Sequence, residues 1–540
     1  MAPFPRRFCA GPGRWAATVL LGHLAAPAAP AQDEGQAVAE FMRVFRSQRD
    51  GAVVSLELTG ARRDALFAMI EHHESARTAA ALAHGFAVVD AEIAGVEVLR
   101  LGLHAELDKL LAGQLGAADP VLTDPQFERR DLLELRGREL RRCSDDLRHL
   151  RGQLVRAITE LREPGALRWL LQKCVRDPKR PLALRVVAGG ALGGGDEDLL
   201  GDVAKALPRA REPAAALALV DALMLAGTRA RPFAAPLIGV LRHPHPAVRE
   251  RAAQALARVA VVEAVGPMVA LLESHTGQSR LRIVTALEVL TGQRHGTNFL
   301  AWQGWWDEDG AAFTADPPAL GTFEPRHFED GGGSSYYFGL PQEHCSAIVY
   351  CIDCSGSMIE PVPTGGLTAT PGNVPQESRL EACKRELIQA LAALRPDQRF
   401  AILWYHDRPH PWREQPLPAT PDAVAAAQEF VRTLQPGRTT NIHDTLRQAF
   451  ALAAGDAREP LLGAAVDTVF LLTDGTPTHA DGEVDRAERI LDAVRGWNPL
   501  GRVTVHTIGI GDGLDEPFLE ELAAQNGGRF VRLGTAASGR

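Results

Sequence analysis

Ala347-Ile348-Val349-Tyr350-Cys351-Ile352-Asp353-Cys354-Ser355-Gly356-Ser357-Met358 is the stretch that decides the fold. Its first six residues form an apolar run rich in β-branched side chains and too short for a typical helix, which predicts a buried strand. The run then breaks into Asp-x-Ser-Gly-Ser. That sets one carboxylate and two hydroxyls on a turn that Gly356 can bend sharply. Oxygen donors grouped in this way suit a hard divalent cation such as Mg2+ or Ca2+, and not zinc.

Two later stretches supply what this turn lacks. Gly437-Arg438-Thr439-Thr440-Asn441-Ile442 is a turn that runs into a helical pattern, and Val469-Phe470-Leu471-Leu472-Thr473-Asp474-Gly475 is a second buried strand ending in Asp. In an open parallel sheet the carboxyl ends of the strands lie together, and ligands bind there. Asp353, Ser355, Ser357, Thr440 and Asp474 are therefore expected to converge on one metal ion. At this point a resemblance can be stated. Residues 345–533, a little over a third of the chain, resemble a von Willebrand factor A domain. The metal-ion-dependent adhesion site of that family reads Asp-x-Ser-x-Ser, then Thr, then Asp, and all five positions match. The resemblance implies a doubly wound α/β fold that binds a protein partner through Mg2+, with Ca2+ or Mn2+ as alternatives.

The rest of this segment alternates as a parallel α/β sheet does. Strands are expected at 347–352, 399–405, 467–472, 503–510 and 528–533, and helices at 379–394, 421–434, 442–454, 484–494 and 516–525. A Pro/Gly/Thr-rich loop, 359–376, follows the metal turn and is placed to shape partner choice. Residues 308–343 read as a linker, from Pro317-Pro318 and the glycine run 331–333.

Upstream the pattern is helical. Arg185, Leu217, Arg249 and Arg282 occupy equivalent places in four similar segments, spaced 32, 32 and 33 residues apart. A fixed period of that size predicts helix pairs stacked as an α-solenoid. The pattern resembles HEAT repeats, most clearly at 246–256. Its period is shorter than the usual HEAT length, which leaves armadillo-like or irregular pairs open. Trp302, Trp305 and Trp306 are expected to cap the open end of this array. Residues 131–162 form a long charged helix with leucines at 133, 140, 147, 150 and 154, which predicts a hairpin packed within the chain. The domain boundaries expected are 1–31, 32–150, 151–307, 308–343 and 344–535.

Residues 1–31 read as a secretory leader. Arg6, Arg7 and Arg14 precede an apolar stretch from Trp15 to Ala26, and Ala29-Pro30-Ala31 suits cleavage before Gln32. No later stretch reads as apolar enough to span a membrane, so an exported protein is expected, in the periplasm, at the cell surface or secreted. Removing Cys9 leaves six sparse cysteines, too few for a disulfide scaffold. Cys351 and Cys354 point to opposite faces of a strand, which argues against a redox pair.

At 540 residues the chain is long enough for several cores. A net charge of −9 gives no electrostatic case for nucleic acid. Position 355 is Ser, where a dehalogenase-type phosphatase needs a second Asp, and no Gly-x-Ser-x-Gly elbow surrounds Ser355 or Ser357. His406, His410, His443, His479 and His506 read as surface or packed histidines, with His443 and His479 nearest the metal loops. Gly509-Ile510-Gly511-Asp512-Gly513 reads as a turn and not as a dinucleotide loop. The expected function is metal-ion-dependent protein binding in adhesion or assembly, without catalysis. The partner would offer an acidic residue to the metal, and a second protein would bind the helical repeats. The alternatives are an adaptor or chaperone partner of a ring ATPase and a metal-dependent envelope hydrolase.

Overall fold

The computed structural model describes residues 33–46, 56–71, 74–110, 124–310, 313, 335–362, 377–454, 465–479 and 482–533. The leader expected at 1–31, most of the linker expected at 308–343 and most of the loop after Met358 lie outside these residues.

Among the described residues, the first part is built of helices, as its periodicity predicts. Helices α1 (Glu34–Val44), α2 (Leu56–Ile70), α3 (Ala76–Leu110) and α4 (Asp124–Thr159) pack as one cluster. Helices α3 and α4 run antiparallel, since Arg129 pairs with Glu106, Arg148 with Glu97 and Arg151 with Asp90. Leu133, Leu140, Leu147, Leu150 and Leu154 are all buried, so the leucine stripe packs within the chain. Arg62 on α2 is fully buried; it donates to the Val44 carbonyl at 2.9 Å and pairs with Glu92.

Helix α5 (Pro164–Leu170) leads into an array of alternating helices: α6 (Leu182–Leu192), α7 (Glu197–Ala206), α8 (Pro213–Ala226), α9 (Ala234–Gly239), α10 (Pro246–Val259), α11 (Val265–Glu273), α12 (Gly277–Thr291) and α13 (Phe299–Asp309). The four repeat positions fall on α6, α8, α10 and α12, and these helices pack in succession. Close packing is visible at Gly189 on α6, where a Cβ would lie 2.4 Å from the Ala218 carbonyl oxygen of α8. The recurring arginine has a repeated task, holding a backbone carbonyl or a neighbouring carboxylate. Arg185 donates to Val175 O and pairs with Glu212; Arg249 donates to the His243 and Pro244 carbonyls; Arg282 pairs with Glu250. Trp302 is fully buried at the end of the array and donates from Nε1 to Gly296 O at 2.8 Å.

Two helical windows, Ala76–Leu107 and Pro213–Arg242, are long and apolar enough to cross a membrane by length and composition. The expectation that no later stretch would pass that test was therefore too strong. Both windows are mostly buried inside the fold, 56% and 67%, with α3 against α4 and α8 between α6 and α10.

The second part is a sheet covered on both faces. A small antiparallel pair, β1 (Tyr336–Tyr337) and β2 (Leu340–Pro341), precedes β3 (Ala347–Asp353), α14 (Arg379–Ala392), β4 (Arg399–Tyr405), β5 (Pro409–Pro411), β6 (Leu417–Pro418), α15 (Pro421–Thr433), α16 (Ile442–Ala453), β7 (Thr468–Thr473), α17 (Ala487–Trp497), β8 (Thr504–Ile510), α18 (Glu516–Gln525) and β9 (Phe530–Leu533). The order across the sheet is β5-β4-β3-β7-β8-β9, with β6 also on β4. The pairs β4-β3, β3-β7, β7-β8 and β8-β9 are parallel. Strand β3 is buried along its whole length. Ile348, Tyr350 and Ile352 enter the core shared with α14 and α15, and Val349 and Cys351 enter the core shared with α16, α17 and α18. Cys354 joins the first of these cores, opposite Cys351, and both thiols are free. The antiparallel β5 and β6 are not among the expected strands; they carry Pro409, Pro411 and Pro418. Proline is tolerated on such edge strands, where its missing N–H faces away from the ladder.

The helical part docks on the sheet part through charge. Arg100 of α3 donates to both carboxylate oxygens of Asp444 on α16, at 2.7 and 2.5 Å, and both side chains are buried. Arg489 of α17 bridges Asp145 of α4 and Asp485. Arg148 stacks on Trp497 with Cζ 5.7 Å from the ring centroid, and Arg282 of α12 donates to Arg502 O at 2.5 Å.

Candidate metal centre

The chain reverses its direction of winding at β3: β4 is added on one side and β7 on the other. The carboxyl ends of β3 and β7 therefore flank a crevice, and both end in aspartate. Asp353 closes β3 and Asp474 follows β7; both are buried. Immediately after β3 the chain leaves the sheet through Cys354, whose N–H donates to Tyr405 O at 2.7 Å.

Four of the five expected donors meet directly. Asp353 is oriented by the Ser355 N–H on Oδ1 at 2.7 Å and by the Thr473 hydroxyl on Oδ2 at 2.8 Å. The Ser355 and Ser357 hydroxyls lie 3.2 Å apart, and both reach Asp474 Oδ1, at 3.3 and 2.7 Å. Thr440 arrives on a separate loop laid against the same turn. Gly437 N donates to Cys354 O at 2.5 Å and Gly356 N to Arg438 O at 3.3 Å. Thr440 Oγ1 lies 3.6 Å from where a Cβ on Gly475 would sit, which places it beside Asp474. Its backbone is held by Thr478, whose Oγ1 accepts from Thr440 N at 2.8 Å and whose N–H donates to Thr440 O at 2.9 Å.

This donor set fits a hard cation. All its polar atoms are oxygens, and neighbouring oxygens in an octahedral Mg2+ shell, with bonds of about 2.1 Å, lie about 2.9 Å apart. The contacts of 2.7 to 3.3 Å bracket that spacing. The electrostatics point the same way. Burial and the neighbouring Asp474 push Asp353 up to about 7, because two carboxylates share a dry crevice.

A family model described as "von Willebrand factor type A domain" matches residues 373–531. That span includes Thr440 and Asp474 and begins after the Asp353 turn. The chain carries a von Willebrand factor type A (VWA) domain. Its curated relatives include the inter-alpha-trypsin inhibitor heavy chain H1 of Mesocricetus auratus, 29% identical over 190 residues, and heavy chain H4 of Homo sapiens, 28% identical over 188. Each alignment covers 34% of this chain and 18% of the heavy chain, so the match spans under a fifth of those relatives' length. Among solved structures, a von Willebrand factor type A protein from Catenulispora acidiphila is 23% identical with a TM-score of 0.28, covering 36% of this chain and 39% of that one. An aerotolerance-related membrane protein from Bacteroides fragilis is 20% identical with a TM-score of 0.24, covering 36% of this chain and 93% of that one.

The VWA domain also contains a cation of its own beside the crevice, which sequence reasoning missed. Arg379, the first residue of α14, donates to Asp474 Oδ2 at 2.9 Å and pairs with Glu360 at 2.7 Å. Asp474 thus presents one oxygen to the serines and the other to a guanidinium. Gly511 makes room for it: φ is +90°, and a Cβ there would lie 2.6 Å from Arg379 Cζ. The turn at 509–513 has this packing role. His443 does not join the donors. It is buried against Trp497 and bonds Asp444, and burial with the nearby Arg489 holds it down to about 3. His479 lies 3.6 Å from Asp485 and likewise stands apart from the donor set.

Proposed function

We propose that this protein is an exported, metal-ion-dependent protein-binding component of adhesion or assembly. Its VWA domain would hold Mg2+, or alternatively Ca2+ or Mn2+, through Asp353, Ser355, Ser357 and Thr440. Asp474 would act behind the two serines, since its Oδ1 accepts from both hydroxyls. The observation that carries this reading is the convergence of Asp353, Ser355, Ser357 and Asp474 at the carboxyl ends of β3 and β7, with the Thr440 loop laid against them. A bound divalent ion supplies an open coordination position that an external carboxylate can fill. The protein's part is to hold the donors. Thr473 and the Ser355 amide fix the Asp353 carboxylate, and Arg379 balances the charge of Asp474.

The stacked helices with a 32–33 residue period support a HEAT-like scaffold that offers a second protein-binding surface. The pattern of residues 1–31 supports export, and a mature chain beginning at Gln32 would exclude the intracellular adaptor reading.

The test is Mg2+ titration calorimetry on the full chain beside Asp353→Ala. Saturable binding is expected in the first and none in the second, with unchanged far-UV circular dichroism. Partner capture that proceeds equally well in EDTA would sink the proposal.

A further inference from the structure

A second donor set lies one loop away from the serine turn, and its chemistry is different. Strand β4 ends at Tyr405 and returns as the antiparallel β5, with Trp404 opposite His410 and Tyr405 opposite Pro409. This tight return brings His406, Asp407 and His410 together. One nitrogen from each imidazole and one carboxylate oxygen lie within 4.8 Å of one another, and the two rings are 5.2 Å apart. All three side chains are half-buried.

The donors are held in place but not satisfied. His410 stacks on Trp404 at 4.2 Å, and its Nε2 is out of solvent with no hydrogen-bond partner. His406 is wedged against the Gly437 backbone, where a Cβ would lie 2.4 Å from the ring. Asn441 pins the turn, donating from N to His406 O at 2.8 Å and from Nδ2 to Asp407 O at 2.9 Å. Asp407 N donates to His406 Nδ1 at 2.7 Å. The same ring nitrogen abuts Asp407 Oδ1, which is buried and has no hydrogen-bond partner. Asp407 Oδ1 and His410 Nε2 are thus two buried polar atoms without a hydrogen-bond partner on one tight return, and a bound cation would satisfy both. Arg408 in the same turn adds one charge, and the Asp407 carboxylate offsets it.

We propose that His406, Asp407 and His410 form a second metal site, for a borderline divalent ion of the zinc class. Two imidazoles and one carboxylate are a nitrogen–oxygen set that suits Zn2+ in tetrahedral coordination, with the fourth position left for water or for a donor on a docked chain. The set discriminates against Mg2+, which requires an octahedron of oxygens. The chain thus carries two sites of different selectivity on the same end of its sheet. The spacing His-Asp-x-x-His, folded across a hairpin, is the sequence signal.

The test is Co2+ titration of the full chain in saturating Mg2+, followed by displacement with Zn2+. One equivalent of Co2+ with the visible absorption of four-coordinate cobalt is expected, bleached by one equivalent of Zn2+. His410→Phe keeps the ring against Trp404 but removes the donor. It and the near-isosteric Asp407→Asn should each weaken binding by at least about tenfold, since losing a ligand costs more than losing a group that merely orients one. Asp353→Ala should leave the cobalt spectrum unchanged. Circular dichroism checks folding, and Asp407→Asn decides the matter if His410→Phe unfolds. The proposal is overturned if cobalt fails to bind saturably, if both variants bind as the wild type does, or if binding is lost in Asp353→Ala and kept in the other two.

Discussion

Arg379 illustrates how much a single residue can set. It is buried against Asp474, and its guanidinium balances a carboxylate that also serves the two serines. Removing one partner of a buried pair leaves the other uncompensated, which costs about 3–5 kcal/mol. Arg379→Met is therefore expected to lower the metal-free stability by that order in urea unfolding. Added Mg2+ should restore more of the loss than it adds to the wild type, because the freed Asp474 charge favours a cation. An equal Mg2+ increment in both proteins would show that Arg379 is electrostatically separate from the site. Gly511→Ala tests the same contact from the other side. A β-carbon at φ +90° and 2.6 Å from Arg379 Cζ should cost about 1–3 kcal/mol in thermal unfolding.

At the scale of elements, β8 carries an acid-sensitive residue. His506 is stacked on Phe470 at 5.0 Å and accepts from Arg529 N, and burial holds it down to about 4, below its ordinary 6.5. Its folded value lies below its unfolded one, so the unfolded chain takes up the proton first as pH falls. The stabilisation is complete above about 6.5 and is lost between there and about 4, amounting to about 2 kcal/mol at pH 5. The difference in stability between the wild type and His506→Gln should therefore shrink by about that amount from pH 8 to pH 5, followed by urea unfolding. A pH-independent difference would mean that His506 is not held neutral. Helix α16 shows a second elemental effect. Asn441 caps it by accepting from Asp444 N and donates to Asp407 O, which ties the start of the helix to the β4–β5 return.

Across the whole molecule, buried charges join the helical part to the VWA domain, and Leu500 adds an apolar contact to the helical core. Arg100 grips Asp444 from 344 residues away. Burial opposes the charge of Glu97, but Arg100, Arg148 and Arg447 bring it down to about 2. Arg100→Ala strands Asp444, and a loss of about 3–5 kcal/mol is expected in urea unfolding. Asp444 accepts from Asn441 Nδ2 at 3.0 Å, directly after Thr440, so weaker Mg2+ binding by calorimetry is expected in the same variant. Unchanged Mg2+ affinity would show that the Thr440 loop is held independently of the helical part.

What the sequence by itself determined was whatever is written locally. The apolar runs 347–352 and 469–472 could only be buried strands, the repeat at Arg185, Leu217, Arg249 and Arg282 could only stack, and Asp353-x-Ser355-x-Ser357 sits where a strand must end. Strand and helix bounds along the sheet part moved by only a few residues for the same reason. The tertiary structure alone decided what distant segments do to one another. Arg379 reads as an ordinary helix start until β7 and the 509–513 turn close on it. Nothing local to Arg100 points to Asp444 until α16 brings the two together. His406 and His410 read as surface or packed residues until β5 folds back along β4 and brings the two together. In each case the deciding quantity is the distance between groups far apart in the chain, which periodicity and local propensity do not encode.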